Sequence, residues 1–347
     1  MKPQSLKIIF ILLIAVLFSG CSNTGKIIGN KLADKTGQSS GKTALSQEAK
    51  RQIKILFVGD TMFDRYIREA VGKKGGPASN ASLSDTGKDY NYPLSQLKEY
   101  LSQFDLVVAN LEGPITPNSS KSTETKMDEK SNLIFTFDPQ VASVLAGNNI
   151  KLVSLGNNHV SNFGPEGIEE TKKYLQDAGV DYFGDTGTGD NQFRVENIGG
   201  IKIGFLNYNY SVAGSAEKTV SEISAAKKQV NIVVVFPHWG TEYKVGDPGK
   251  NVRALAYRFI DAGADAIIGT HPHVIENTEE YQGKKIFYSL GNFVFDQYFQ
   301  KETMEGLGVV LTVEPDLAIK YDEVKFEMQR NGQTELMQNA NIKKNDN

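Results

Sequence analysis

The stretch "IKLVSLGNNHVSNFGPEGIEETKKYLQDAGV", residues 150–180, carries the reading of the fold. Its first part, "IKLVSLGNNH", is a short apolar run that ends in polar groups, which predicts a buried strand. Its second part, "GPEGIEETKKYLQDAGV", is the clearest helix in the chain. Pro165 stands near its start, acids follow early, and Gly179 marks its stop. A strand that delivers Asn157, Asn158 and His159 to its end, and then turns into a helix, is the repeating unit of an α/β sheet.

The same alternation extends outward in both directions. "IKILFVGD" (53–60), "DLVVANLEG" (105–113), "VNIVVVFPHWG" (230–240) and "DAIIGTHPH" (265–273) read as strands. "YPLSQLKEYLSQF" (92–104), "DPQVASVLAGNN" (138–149) and "NVRALAYRFIDAGA" (251–264) read as helices. Beyond residue 284 the character changes. "KKIFYSLGNFVF", "GLGVVLTVEP" and "AIKYDEVKFEMQ" read as strands with no helix between them. The expectation is an α/β domain of sheets covered by helices, with right-handed crossovers. Residues 73–91 read as a surface loop, and 117–131 as a polar insertion near the site.

Size and charge set the outer limits. The chain has 347 residues, a formal net charge of −3 and 39% hydrophobic residues, which is ordinary for a globular protein. This balance excludes a broad basic surface for nucleic acid. A single cysteine, Cys21, excludes a disulfide within the chain. It follows Lys2, Lys7, the unbroken apolar run Ile8–Phe18, and then Ser19 and Gly20. Basic, then apolar, then small is the order of an export signal, and the run is shorter than the roughly 20 residues a membrane span needs. The setting of Cys21 resembles a bacterial lipobox, which implies cleavage before the cysteine and lipidation of its thiol. The expected organisation is a signal over 1–20, a flexible tether over 21–50, a domain over 51–340 and a disordered tail over 341–347. The domain would sit outside the cytoplasmic membrane, held to its outer face by the lipid.

The strand ends carry the chemistry. They place Asp60, Asn110 with Glu112, Asn158 with His159, His238, and His271 with His273 at one edge, where open α/β sheets bind ligands. All four histidines of the chain fall at such ends. Alone, each residue has an ordinary reading: an Asx turn for Asp60, a solvated turn acid for Glu112, a turn between strands for Asn292, a surface salt bridge for Arg65, packing for Trp239. Together they read as one metal site. In an extended segment His271 and His273 would point the same way, and Pro272 would stiffen the backbone between them. Imidazole nitrogen with carboxylate oxygen suits zinc, manganese or iron better than calcium.

The group "FVGDTMFDR", "ANLEGPIT", "GNNHVSNFG", "FPHWGTEY", "GTHPHV" and "YSLGNFVFD", all in order between about residues 53 and 297, resembles the CapA-type poly-γ-glutamate capsule biosynthesis family. That family is similar to the calcineurin-like metallophosphatases. The resemblance implies a four-layer α/β sandwich of the metallophosphatase type, with one or two divalent ions between its sheets. It implies Asp60 on the first metal, Glu112 as the bridging acid, Asn158 and His238 on the second metal, and His271 and His273 divided between the two. His159 would be the general acid. Arg65, Asn110 and Asn292 would contact the substrate. The chain departs from the metallophosphatase pattern at Met62, where a histidine is usual, so a weak first metal is expected, with Asp64 as a possible substitute ligand. Asn162 stands where the family often has an acid.

The leading expectation is a surface-anchored metal-binding lipoprotein acting in synthesis, export or attachment of poly-γ-glutamate, with a membrane synthase complex as its partner. The alternatives are an extracytoplasmic metal-dependent phosphoesterase, a metal-dependent hydrolase of γ-glutamyl amide bonds, and a purely structural role for the histidines.

Overall fold

The structure is a computed structural model that describes residues 51–74, 88–123, 125–126, 129–187 and 191–337. The export signal, Cys21, the tether, most of the 73–91 loop and the C-terminal tail lie outside the described residues.

The elements run in chain order as β1 (Ile53–Thr61), α1 (Arg65–Lys74), α2 (Lys98–Leu101), β2 (Leu106–Leu111), α3 (Gln140–Gly147), β3 (Ile150–Ser154), α4 (Gly164–Asp177), β4 (Asp181–Asp185) and β5 (Asn191–Gln192). There follow β6 (Arg194–Ile198), β7 (Ile201–Leu206), α5 (Ser215–Ala226), β8 (Ile232–Val235), α6 (Lys250–Asp261) and β9 (Ala266–Ile268). The chain closes with β10 (Thr278–Tyr281), β11 (Lys284–Phe287), β12 (Asn292–Val294), β13 (Glu305–Val313), β14 (Ile319–Met328) and β15 (Thr334–Leu336). No helix among the described residues is long and apolar enough to cross a membrane.

Two sheets form, and the fold is α/β as the alternation predicts. One runs β15-β14-β13-β1-β2-β3-β4-β5, with β12 also paired to β1; the other runs β10-β11-β9-β8-β7-β6. The pairs β1–β2, β2–β3 and β3–β4 are parallel, as are β7–β8, β8–β9 and β9–β11. Of the strands read without intervening helices, β13 adds antiparallel to β1 and β14 antiparallel to β13. One core joins the inner faces, with Ile55, Phe57 and Val309 from the first sheet against Phe205, Val234 and Ile268 from the second. A second core sets Leu56, Val107 and Val153 against Ile67, Leu145 and Ile168 of the helices on the first sheet's other face. A third sets Val233, Val235 and Ile267 against Ile223 and Phe259 of α5 and α6. Each central strand therefore buries both faces, which is why these segments read as continuous apolar runs rather than alternating ones.

Several expectations change. Residues 92–104 are not one helix: a 3₁₀ turn at Tyr92–Leu94 precedes the four-residue α2. Pro93 suits the first turn of a helix but leaves it short of a donor. The regular strands stop sooner, at Val235 and Ile268, and beyond them only isolated bridges continue the ladder, with His238 set between Asn209 and Thr270. The reading also passed over α1, β4, β6, β7 and α5. Within the 117–131 segment Ser122 is buried against Asp64, and the residues just beyond it, Asn132 and Leu133, line the site's cavity.

Candidate metal centre

Register builds the site. At the end of β1, Asp60 pairs with Asn110 of β2 on one side and with Asn292 of β12 on the other. Gly59 allows this crowding: a Cβ there would run into the carbonyl oxygen of Gly291. Across the gap between the sheets, His238 follows β8 and bridges Asn209 on one side and Thr270 on the other. Asp60, Glu112 and His238 are each fully buried, and each places a ligand atom within 4.8 Å of the other two. That is a group of residues able to hold a metal ion.

Asn110 sits at the centre of this group. Its Nδ2 donates to Asp60 Oδ1 at 2.8 Å and to Glu112 Oε2 at 3.3 Å, and lies 3.3 Å from His238 Nδ1. Asn157 holds Asn110 in turn, through its Oδ1 at 3.1 Å. Asn110 is fully buried, so it orients the candidate ligands instead of reaching into the cavity. Asn292 is also buried. Its Nδ2 donates to the Thr303 carbonyl and to Gln297, which leaves its Oδ1 facing His273 Nδ1 at 3.0 Å. An amide oxygen only accepts, so His273 carries its proton on Nδ1 and turns an Nε2 lone pair toward Glu112 Oε1, 3.5 Å away.

His271 and His273 converge by a different route from the one expected. Neither belongs to an extended strand: φ is 101° at His271 and 59° at His273, in the left-handed region. Alternation along a strand therefore does not aim these rings, and the turn after Thr270 does. His271 donates its backbone N–H to Asp60 Oδ2 at 3.2 Å, and the two ring centroids stand 6.1 Å apart. Left-handed φ at non-glycine residues costs of order 1–3 kcal/mol each and concentrates at functional sites.

His159 closes the site from the first sheet. Its Nδ1 lies 3.1 Å from the Leu133 carbonyl, an acceptor, so Nε2 again offers a lone pair, 4.0 Å from Glu112 Oε1. Its ring packs on Phe135 at 4.4 Å. Asn158 places Oδ1 2.8 Å from His238 Nε2. Asn158, His159 and His273 line a cavity of about 350 Å³, together with Arg65, Tyr243 and Phe299. Arg65 is at this wall but already partnered. Its guanidinium pairs with Asp296, donates to Asn132 at 3.0 Å and lies over Phe135 and Phe295.

The electrostatics describe a site set for a cation. Glu112 Oε1 is buried with no hydrogen-bond donor, and two imidazole lone pairs face it; His271 Nδ1 is buried and unpartnered too. Burial, and then neighbouring Asp60, pushes the Glu112 carboxyl well above its usual range. Burial, and then His273, pulls His271 and His159 down to about 3. Burial, and then His271, holds His238 well below its usual value. Without a cation the cluster sets His159, His238 and His271, held neutral by burial, around a proton-holding acid. Acceptors facing acceptors in a dry site are costly unless a proton or metal lies between them. The donor set and its unpartnered atoms fit a divalent metal.

Residues 54–297 match the family described as bacterial capsule synthesis protein PGA_cap. This chain belongs to that family. It is 30% identical over 313 residues to the PGA biosynthesis protein CapA of Bacillus subtilis, covering 84% of this chain and 72% of that one. It is 31% identical over 269 residues to the capsule biosynthesis protein CapA of Bacillus anthracis, covering 71% and 60%. A probable polyglutamine synthesis accessory protein of Mycobacterium tuberculosis is 23% identical over 290 residues, covering 74% and 72%. Among solved structures, Vps29 of Chaetomium thermophilum aligns over 82% of this chain and 95% of its own with a TM-score of 0.29 and 12% identity, too loose a likeness to bear on the fold.

Three positions of this PGA_cap chain receive a physical account. Met62 is buried, and its sulfur accepts the Asp64 N–H at 2.9 Å. Asp64 does not replace a ligand: its oxygens accept from Arg68, Ser122 and the Thr136 N–H at 3.0, 2.8 and 2.9 Å, tying the 116–136 segment to β1. Asn162 donates at 2.8 Å to the Leu133 carbonyl, the same acceptor that His159 Nδ1 uses, and brings no acid to the site. Two further residues escaped the sequence reading. Tyr210 packs at a tilt against His271 at 4.5 Å, and Tyr243 stacks on His273 at 5.8 Å. Tyr210 follows the unread β7, and a strand not recognised hides its own end.

The brace on His273 is testable. Asn292→Ala should weaken manganese affinity about 10–100-fold while leaving the fold intact. Calorimetric titration checks this, and unchanged affinity would show that His273 needs no such brace.

Proposed function

We propose that this chain is an exported, metal-binding lipoprotein of the CapA type that acts in synthesis, export or attachment of poly-γ-glutamate. The observation that carries the reading is Glu112 Oε1, buried without a donor beneath an open cavity, in a chain whose relatives are named for PGA and polyglutamine synthesis. Two sheets sharing one core, with helices against their outer faces, support a four-layer sandwich of the metallophosphatase type. Nitrogen and oxygen donors support manganese, zinc or iron, as one ion or two. The signal, Cys21 and the tether support anchoring at the outer face of the membrane, where a membrane synthase would be the partner.

Asp60, Glu112, Asn158, His238, His271 and His273 would hold the metal. When bound, it supplies positive charge that clamps a carboxylate or phosphate oxygen. Asn110 and Asn292 fix the ligands' orientation, Asn110 from between Asp60, Glu112 and His238. Phe135, Phe295 and Phe299 border the cavity and limit the water around it.

Full-length protein saturated with manganese should retain poly-γ-glutamate in equilibrium dialysis, and chelation should release it. Retention that ignores the metal, or none in folded and loaded protein, would sink this reading. A second reading, a metal-dependent phosphoesterase, is favoured by the position of His159 on the cavity wall beside Glu112.

A further inference from the structure

A larger cavity, of about 450 Å³, lies on the other side of Tyr210. Tyr210 lines it while its ring lies 4.5 Å from His271 and 6.1 Å from His238. The chain divides the two cavities within one turn: Glu242 and Tyr243 line the metal cavity, and the next residue, Lys244, lines the larger one. The Tyr243 N–H fastens this divider to the Pro272 carbonyl, between the two site histidines, at 2.8 Å.

The lining has a definite chemistry. Lys244 and Lys250 bring two ammonium groups, and no carboxylate lines the cavity. No carboxylate among the described residues forms an ion pair with either lysine. Lys244 also faces the charges of Asp247 and Glu276 outside the lining, so the two ammonium groups make a local cationic recess in a chain with net charge −3. The rest of the wall mixes Tyr208, Trp239 and Leu255 with the polar Thr241 and Asn251. Such a recess takes an anion carried on an aliphatic stem, because the stem covers the aromatic wall while the charge meets the lysines.

We propose that this recess is a second binding site, for a carboxylate of the same acidic ligand whose neighbouring group occupies the metal centre. The ligand crosses the ridge formed by Tyr210 and the 242–244 segment. Its chemical class is a chain with carboxylates spaced by methylene groups. Its assignment to poly-γ-glutamate rests on the proposed function, whereas the carboxylate site itself does not.

Trp239, the only tryptophan, lines the recess and reports on it directly. A γ-linked glutamate pentamer titrated into metal-loaded full-length protein should shift Trp239 emission with saturation. In Lys244→Ala/Lys250→Ala the half-saturation point should rise about tenfold or more, since two charge-assisted contacts are lost, and manganese affinity should not move. Pentamer binding of equal affinity in both forms, seen by calorimetry, would overturn the second site and leave the polymer reading standing. A silent pentamer, with glutarate still shifting the emission in a lysine-dependent way, would uphold the carboxylate site and remove the polymer. Inorganic phosphate acting below the glutarate concentration would overturn the carboxylate assignment. No response to any of the three would overturn the site.

Discussion

Glu112→Gln should abolish manganese binding and at the same time stabilise the metal-free protein at neutral pH. Glu112 is fully buried beside Asp60, and its Oε1 has no donor. Leaving a buried polar atom unsatisfied costs about 1–3 kcal/mol, and more when it is charged. Burial and Asp60 raise the folded-state affinity of this carboxyl for its proton above the usual 4.5. The folded state then holds a proton that the unfolded state has released, so this group's stabilising contribution is complete below 4.5 and is lost as pH rises from there. The glutamine keeps the shape and never ionises. The stability difference between variant and parent should therefore be near zero in acid and grow above pH 4.5, and saturating manganese should reverse its sign by stabilising only the parent. Urea denaturation across pH, with and without metal, measures both effects. A parent and variant that respond alike to manganese would show that Glu112 is no ligand.

The acidic limb of the same curve belongs to the histidines. His159 and His271 are neutral when folded down to about 3, whereas unfolded imidazoles charge near 6.5. Their stabilising contribution is present above 6.5 and is lost as pH falls toward 3. The metal-free protein is squeezed from both sides, by histidines in acid and by Glu112 as the pH rises. A site that destabilises its own apo form in this way is the usual signature of groups arranged for a ligand rather than for the fold.

The sequence shows the site's membership more clearly than its aim. Asp60, Glu112 and His238 stand out because each breaks an apolar run just where a buried strand must end. Histidine scarcity makes their common placement conspicuous. The aim depends on partners far apart in the chain. Asn110 and Asn292 read from the sequence as substrate contacts, and only register shows that both stand beside Asp60. Arg65 looks like an anion binder until Asp296, distant in sequence, takes its charge. His271 and His273 read as strand residues because nothing in "GTHPHV" announces left-handed backbone, which is rare at histidine. The second sheet is only partly legible. "IKIGFL" is only six residues long, and α5, "SAEKTVSEISAA", is mostly small and polar, so neither carries a strong periodic signal.

His159→Ala separates the two functional readings. In the phosphoesterase reading His159 works on the leaving group, and its loss should lower manganese-dependent hydrolysis of a chromogenic phosphodiester by about 10²–10⁴-fold, with metal affinity unchanged. The structure constrains how it works. Its Nδ1–H is committed to the Leu133 carbonyl, its Nε2 is a lone pair, and burial keeps the ring uncharged above about 3. A neutral ring in that state accepts a proton or a hydrogen bond before it can give one. Turnover carried by a resting acid would fall as pH rises from acid to neutral; turnover that begins with a neutral His159 would stay level from pH 5 to 8. A level profile with the expected loss in the alanine variant would establish His159 as a base or acceptor and revise its expected role as the resting acid. No hydrolysis by parent or variant, in folded protein with manganese bound, would remove the phosphoesterase reading. His159 would then be a wall of the polymer site, and its replacement should be felt in poly-γ-glutamate retention alone.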